Sequence, residues 1–333
     1  MLGRRAAVAL LAGSATLGVA ADRAPDRPVV VTTLTLFAGT DEGLYRSRNW
    51  GLDWELLKHA GLAGLGAVHQ VLPLGPRVYV GGAGGLYLSE DFGDTWKRAL
   101  AGTTVLSVLA SRYPNADPTL FAGTTEGLAR SLDGGANFRA AGQRGSAIHR
   151  LDWPGPTLVM ATSNGVVFST DAAATYQDAG PGLPAGHVLA IVVSSFYAVD
   201  PVLFAAVEGQ GLFRSPDGGR SWLPAGLEGQ TVRDLVWLGP FLYAAGDEGV
   251  KRSEDLGRTW TALNEGLKGL AANQLLFPLA PAAGSEAFLA TGAGVFHTPD
   301  GGLHWNGPTL KGKRVLCLGT FPPPIPVQGR KRR

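Results

Sequence analysis

One eight-residue pattern returns seven times along the chain and limits what the chain can fold into. The copies are Ser47–Trp54, Ser89–Trp96, Ser131–Phe138, Ser169–Tyr176, Ser215–Trp222, Ser253–Trp260 and Thr298–Trp305. Their common form is Ser or Thr, any residue, Asp or Asn, any residue, Gly or Ala, any two residues, then an aromatic. Successive copies start 38 to 46 residues apart. A fixed period of this size is the mark of a repeat architecture. Each copy follows two short runs, such as Leu36–Thr40 with Gly43–Ser47, or Leu120–Thr124 with Gly127–Ser131. A further apolar run precedes these: Val68–Leu72, Val105–Leu109, Ile148–Leu151, Val188–Val193, Val232–Val236 and Gln274–Phe277. Four short strands joined by Gly, Asp and Asn turns make one blade of a β-propeller. The chain therefore predicts an all-β, seven-bladed propeller of four-stranded blades over residues 34–320.

The strand count also predicts how the ring closes. The first repeat lacks its own first strand, and a surplus strand, Arg314–Thr320, follows the last motif. This strand is expected to complete the first blade, removing the exposed edges that a linear stack would keep. Cys317, the one cysteine of the chain, falls in it and reads as a small buried hydrophobe.

The repeated motifs resemble the Asp-box, or BNR, repeat of sialidases, sortilin-type receptors, family-74 glycosidases and photosystem assembly propellers of the Ycf48 type. The resemblance implies that each motif is a turn between the third and fourth strands of a blade. The residue chemistry agrees: Asp and Ser accept or give local hydrogen bonds, Gly permits positive φ, and the aromatic anchors the blade. On this reading Asn49, Asp91, Asp133, Asp171, Asp217, Asp255 and Asp300 are structural, because catalytic residues converge once whereas these recur around a ring. Ala173 and Tyr176 depart from the pattern and predict a less regular fourth turn. Arg46, Arg130, Arg214 and Arg252, just before four of the motifs, are expected to pack their stems between blades with solvated heads.

No catalytic residue is assigned. The Arg-Ile-Pro signature of sialidases does not occur, and the chain has room for one propeller where family-74 glycosidases use two. The six histidines are scattered without metal-ligand spacing, and no phosphate-binding or nucleophile motif occurs. No metal or cofactor is expected. The ligand-binding candidates are the polar residues that vary between repeats. Glu42, Glu126, Arg144, His187, Glu208 and Glu248 lie on the face formed by the second-to-third-strand turns and the blade-to-blade connections. His149 and Arg150 lie with His69, Gln70, Asp234, Asn273, Gln274 and Arg314 near the channel. On the opposite face, two longer excursions end in Asp-Pro and offer Tyr113, Phe196 and Tyr197 as contact residues.

Residues 1–21 read as a secretory signal, with Arg4 and Arg5 before an apolar run from Ala6 to Ala20. Residues 22–33 read as a linker, and residues 321–333 as a Pro-rich, basic, disordered tail ending Arg330-Lys331-Arg332-Arg333. The formal charge is only +2, and no basic stripe suggests nucleic acid. The expected protein is exported, monomeric and non-catalytic, a scaffold for a protein partner. The alternative is a carbohydrate-active protein, either a diverged glycosidase or a glycan-binding module. Membrane attachment is expected only if the apolar N-terminal run is retained.

Overall fold

The computed structural model describes residues 34–111, 114, 116–142, 145–278 and 286–321. The expected signal, linker and tail therefore lie outside the described residues, apart from Phe321, and so do Tyr113 and Arg144. In chain order the strands begin with β1 (Leu36–Thr40), β2 (Leu44–Ser47) and β3 (Glu55–Leu56). The second blade is β4 (Val68–Leu74), β5 (Arg77–Gly82), β6 (Gly85–Ser89) and β7 (Lys97–Leu100). The third is β8 (Val105–Ala110), β9 (Leu120–Thr124), β10 (Gly127–Ser131) and β11 (Arg139–Ala140). The fourth is β12 (Ile148–Asp152), β13 (Leu158–Thr162), β14 (Gly165–Ser169) and β15 (Gln177–Asp178). The fifth is β16 (Val188–Val193), β17 (Leu203–Val207), β18 (Gly211–Ser215) and β19 (Leu223–Pro224). The sixth is β20 (Val232–Leu238), β21 (Phe241–Gly246), β22 (Gly249–Ser253) and β23 (Thr261–Ala262). The seventh is β24 (Ala272–Leu276), β25 (Ala287–Thr291), β26 (Gly294–Thr298) and β27 (Asn306–Thr309), and β28 (Val315–Thr320) ends the series.

These strands form seven four-stranded antiparallel sheets, and β28 pairs with β1 to complete the first. The protein is a seven-bladed β-propeller closed by its last strand. The innermost strands β28, β4, β8, β12, β16, β20 and β24 touch in cyclic order. Their first residues, Val68, Val105, Ile148, Val188, Val232, Ala272 and Val315, are all buried. The inner run expected over Gln274–Phe277 is instead β24, Ala272–Leu276. Its buried start is a small Ala, which weakens the apolar signal there. The outermost strands are short and largely exposed, so little unpaired backbone is offered at the rim.

Each repeated motif links the third strand of its blade to the fourth and is held by one set of bonds. In the third blade Ser131 Oγ donates to Asp133 Oδ1 at 2.7 Å and accepts from Gly135 N at 2.9 Å. Asn137 donates its backbone N–H to Asp133 Oδ1 at 2.9 Å and its side-chain Nδ2 to Oδ2 at 2.8 Å. The polar side chain at the seventh motif position recurs as Thr95, Thr175, Ser221, Thr259 and His304, each bound to its own Asp. The fourth and fifth positions are both left-handed, and Trp50, Phe92, Ala172 and Leu256 adopt this conformation at the fourth. The expectation of an irregular fourth turn is corrected: Ala173 takes φ of 73° and its N–H still reaches Ser169 Oγ at 2.8 Å.

The motifs also fasten neighbouring blades. Trp260 Nε1 donates to Ala225 O at 3.1 Å, Trp305 Nε1 to Leu263 O at 2.8 Å, and the Tyr176 hydroxyl to Ala141 O. Arg46 is buried, and its guanidinium donates to Glu55, Gly93 O and Asp94. Arg130 Nη1 donates to Ala172 O at 2.9 Å. The expectation of solvated heads therefore fails for these two, because the next blade's turn aims a carbonyl at each.

Two expected outcomes follow. Ala173 bears a left-handed conformation that glycine adopts without strain, so Ala173→Gly should stabilise the protein by about 0.5–1 kcal/mol. A Cβ on Gly219 would lie 2.1 Å from Phe168 Cζ. Gly219→Ala should therefore destabilise by about 3 kcal/mol through overpacking and strain. Denaturant midpoints check both, and shifts of the same sign would refute the strain argument. The second outcome concerns acid. Side-chain donors Asn137, Thr175 and Thr259 lead the bonds that hold Asp133, Asp171 and Asp255 down to about 2, from an ordinary 3.8. A folded value below the unfolded one adds stability above about pH 4, which is lost as pH falls toward 2. Melting temperature should thus be level near pH 5 and fall between about pH 4 and 2.

Candidate functional site

Strand direction sorts the connections onto two faces. The turn face carries the repeated motifs and the loops from first to second strands. The mouth face carries the second-to-third-strand turns and the connections between blades. At the mouth end of every innermost strand the pairing register slips by one residue. The skipped residues are His69, Leu106, His149, Leu189, Arg233, Asn273 and Leu316, which places them at one height around the channel. Bulges of this kind re-aim side chains and often border sites.

The next residue inward is a fastener in most blades. Val108 N donates to Gln70 Oε1 at 2.7 Å, Leu275 N to Asp234 Oδ2 at 3.0 Å, and Leu318 N to Gln274 Oε1 at 2.6 Å. Ser107 Oγ donates to Ile148 O at 3.2 Å, and Asn273 Nδ2 to Val315 O at 2.7 Å. These side chains satisfy backbone groups at the open inner edges of neighbouring sheets. Gln70, Asn273 and Gln274 are thereby occupied with the ring itself. Cys317 also belongs to this layer, and burial pushes its thiol up to about 12.

Arg150 breaks the rule. Its Nη2 lies 3.3 Å from Asp234 Oδ1, spanning from the fourth blade to the sixth past Ala190 of the fifth. Asp234 is buried, and desolvation raises its carboxyl above the ordinary value against the opposing pull of Arg150. Beside Arg150, the His149 ring sits 5.9 Å from that of His187, and burial lowers the basicity of His149. His187 Nδ1 is 3.3 Å from Glu208 Oε2. Arg233, next to Asp234, donates from Nη2 to Asp247 Oδ1 at 2.5 Å. Two buried atoms here, His149 Nε2 and Arg233 Nη1, have no hydrogen-bond partner.

The structure thus brings His149, Arg150, His187 and Glu208 together over blades four and five, with Asp234 of the sixth joined through Arg150, while Arg233 and Asp247 form a separate pair on the sixth blade. The other candidates are dispersed. Glu42 pairs with Lys313 at 2.6 Å, and Glu248 with Lys251 at 2.5 Å. Exposed Glu126 borders a cleft of about 530 Å³ between the second and third blades. Arg233 carried no distinguishing signal in the sequence, because its pairing with Asp247, itself one of the polar residues that vary between repeats, depends on the bulge. Among the described residues, no group of three His, Cys, Asp or Glu side chains is arranged to hold a metal ion.

The cross-channel pair has a measurable consequence. Arg150→Met leaves a buried carboxylate unpaired and should cost about 3–5 kcal/mol at neutral pH. Without Arg150 the folded carboxyl value rises further above the unfolded one. The variant is therefore least impaired below about pH 4, and its deficit grows as pH rises. Adding Asp234→Asn should recover most of the loss, as urea denaturation at several pH values would show; a deficit independent of pH would contradict the assignment.

No protein-family model and no curated protein matches this chain. Solved structures do resemble it. Ycf48 bound to a D1 peptide is similar with a TM-score of 0.57 and 16% identity, over 73% of this chain and 82% of that one. An ancestral GH74 enzyme is similar with a TM-score of 0.57 and 18% identity, over 69% of this chain but 36% of the enzyme. The chain therefore spans about a third of that enzyme's length. Ycf48 from Cyanidioschyzon merolae gives a TM-score of 0.54 at 13% identity, over 75% of this chain and 90% of that one. Likeness at these identities establishes the fold, and function has to be argued from the site.

Proposed function

We propose that this protein is an exported, monomeric, non-catalytic propeller of the BNR/Asp-box type that serves as a binding scaffold for a protein partner. The partner docks on the mouth face across blades four to six. The observation that carries this reading is the exposed His187–Glu208 pair on the mouth face, beside the half-buried His149 ring, which the blade architecture does not use. Support by analogy comes from the peptide-bound Ycf48 structure, a similar fold that presents a surface to a polypeptide. The signal-like residues 1–21 support export.

A carbohydrate-active role is the competing reading, suggested by the fold likeness to the GH74 enzyme. Glycoside hydrolysis calls for two carboxylates free to act across one bond. In the channel Asp234 has one oxygen against Arg150 and the other on the Leu275 N–H, which favours a structural role.

The test is affinity capture from the native host on the purified chain lacking residues 1–21, compared with Glu208→Lys and His187→Glu. Both positions are exposed, so melting should be unchanged while retention of the partner falls about tenfold or more, as for a charged contact. Turnover of sialosides or β-glucans that vanishes in Glu208→Gln, with the fold intact, would replace the scaffold reading by the enzymatic one.

A further inference from the structure

Arg46, Arg130, Arg214 and Arg252 occupy one repeat position, the last residue but one of the third strand in blades one, three, five and six. Three of them are held by their surroundings. Arg46 is gripped at 2.7 Å by Glu55, its cross-strand neighbour, and at 2.7 Å by Asp94, the sixth residue of the next blade's motif. Arg48 reaches the same Asp94 oxygen at 2.8 Å, so two guanidinium groups share one carboxylate. Arg130 donates to Ala172 O and Arg252 to Glu254, and each lies over an aromatic ring, that of Phe121 or Phe241. Arg214 is half-buried, and its guanidinium has no hydrogen bond or ion pair among the described residues.

The residues around Arg214 explain its isolation. Its cross-strand neighbour is Leu223, where Arg46 has Glu55. The sixth residue of the next motif is Arg258, where Arg46 has Asp94. Both carboxylates are thus replaced, one by an apolar side chain and the other by a second cation. Arg214, Leu223 and Arg258 line one cleft of about 680 Å³ between blades five and six, with Lys251, Leu256 and Trp260. Lys251 lies toward the mouth end of β22 and Arg258 in the turn, so the cleft runs the height of the blade. Exposed Arg258 takes part in no ion pair among the described residues. The carboxylates of the flanking motifs, Asp217 and Asp255, are bonded to Ser221 and Thr259 within their own turns. Glu248 pairs with Lys251, and Glu228, the one carboxylate among the lining residues, stands in the mouth-side connection. Two cations in one cleft without an anion repel each other, and an added carboxylate removes that cost while gaining charge-assisted bonds.

We propose that this cleft binds an extended acidic polypeptide, with one of its carboxylates held between Arg214 and Arg258 as Asp94 is held between Arg46 and Arg48. The planar guanidinium fork matches a carboxylate in shape and charge. Leu223, Leu256 and Trp260 receive apolar side chains next to that carboxylate in the bound segment. A cleft as long as a blade suits a chain in strand conformation, whose side chains alternate in direction. The proposal rests on the scaffold reading only for the class of partner, because the cleft lies on the outer wall of blades five and six and not at the mouth.

The experiment measures fluorescence anisotropy of a fluorescein-labelled peptide, Gly-Leu-Glu-Leu-Glu-Leu-Gly, titrated with the full chain, beside a counterpart with Gln in place of both Glu. The acidic peptide should bind about tenfold more tightly than the neutral one, and Arg214→Gln or Arg258→Gln should each weaken it about tenfold. Arg214→Gln should leave the melting temperature unchanged, whereas Arg46→Gln, which strands two carboxylates, should lower it. Arg258→Asp recreates the arrangement of the first blade. It should raise the melting temperature by about 2 °C through a new pair with Arg214, and it should abolish peptide binding. Equal binding of the two peptides, or no binding of either, would overturn the proposal. So would acidic-peptide binding that survives Arg214→Gln, which would lodge it in the basic residues 330–333. Tighter binding of a galacturonate dimer than of the peptide, lost in the same variants, would assign the cleft to an acidic sugar and overturn the polypeptide assignment. These readouts use a synthetic peptide and no mouth-face residue, so partner capture there fails or succeeds independently.

Discussion

The pairing of β28 with β1 is the contact on which the rest of the ring depends. It joins Leu36 to Thr320 and Gly39 to Cys317, residues from opposite ends of the chain. Without it the first blade would lack its innermost strand, and the hydrophobic faces of the first and second blades would be open. Gly39 shows how close the approach is: a Cβ there would lie 2.5 Å from Cys317 Sγ and from Val68 Cγ1. Once this strand is placed, each sheet packs between two neighbours, and no inner edge remains without a neighbouring blade.

Closure alone would leave polar backbone groups stranded where the inner strands face the channel. The side chains of Gln70, Ser107, Asp234, Asn273 and Gln274 satisfy them by reaching to the adjacent inner strand. At the periphery the repeated turns do comparable work, with Trp260, Trp305 and Arg46 spanning to neighbouring blades. The seven aspartate or asparagine side chains are thus spent on backbone N–H groups and on the side chain four residues later. Local bonds this complete leave those aspartates little freedom for recognition, and the turns offer instead their outward apolar tips and charged side chains such as Arg48, Glu90 and Arg258.

The mouth face is under no such demand. Its turns need a tight reversal, and the side chains on them are free to differ between blades. That is where the titratable groups gather unevenly, over blades four to six. Arg150 lies at a position used elsewhere as a fastener, and it engages a carboxylate two blades away because Ala190 of the intervening blade leaves the path clear. The result is a cross-channel Arg150–Asp234 bridge below the exposed His187–Glu208 pair.

The sequence by itself determined the number of blades, the strand count of each, the place of the turns and the identity of the closing strand. All of these are local patterns repeated in register: Ser131 binds Asp133, and Asp133 binds Asn137, within one short turn. It also marked Glu208, His187, His149 and Arg150 as residues the blade does not need. Only the tertiary structure decided that Gln70 and Gln274 serve the ring, that Ala173 keeps its turn regular, and that Arg46 is held rather than solvated. It alone joined Arg150 to Asp234 and brought Arg214 and Arg258 to one cleft. Those outcomes depend on which residues the curvature of the ring brings within a few ångströms of each other. Residues 84 apart meet across the channel, and no periodicity along the chain records that distance.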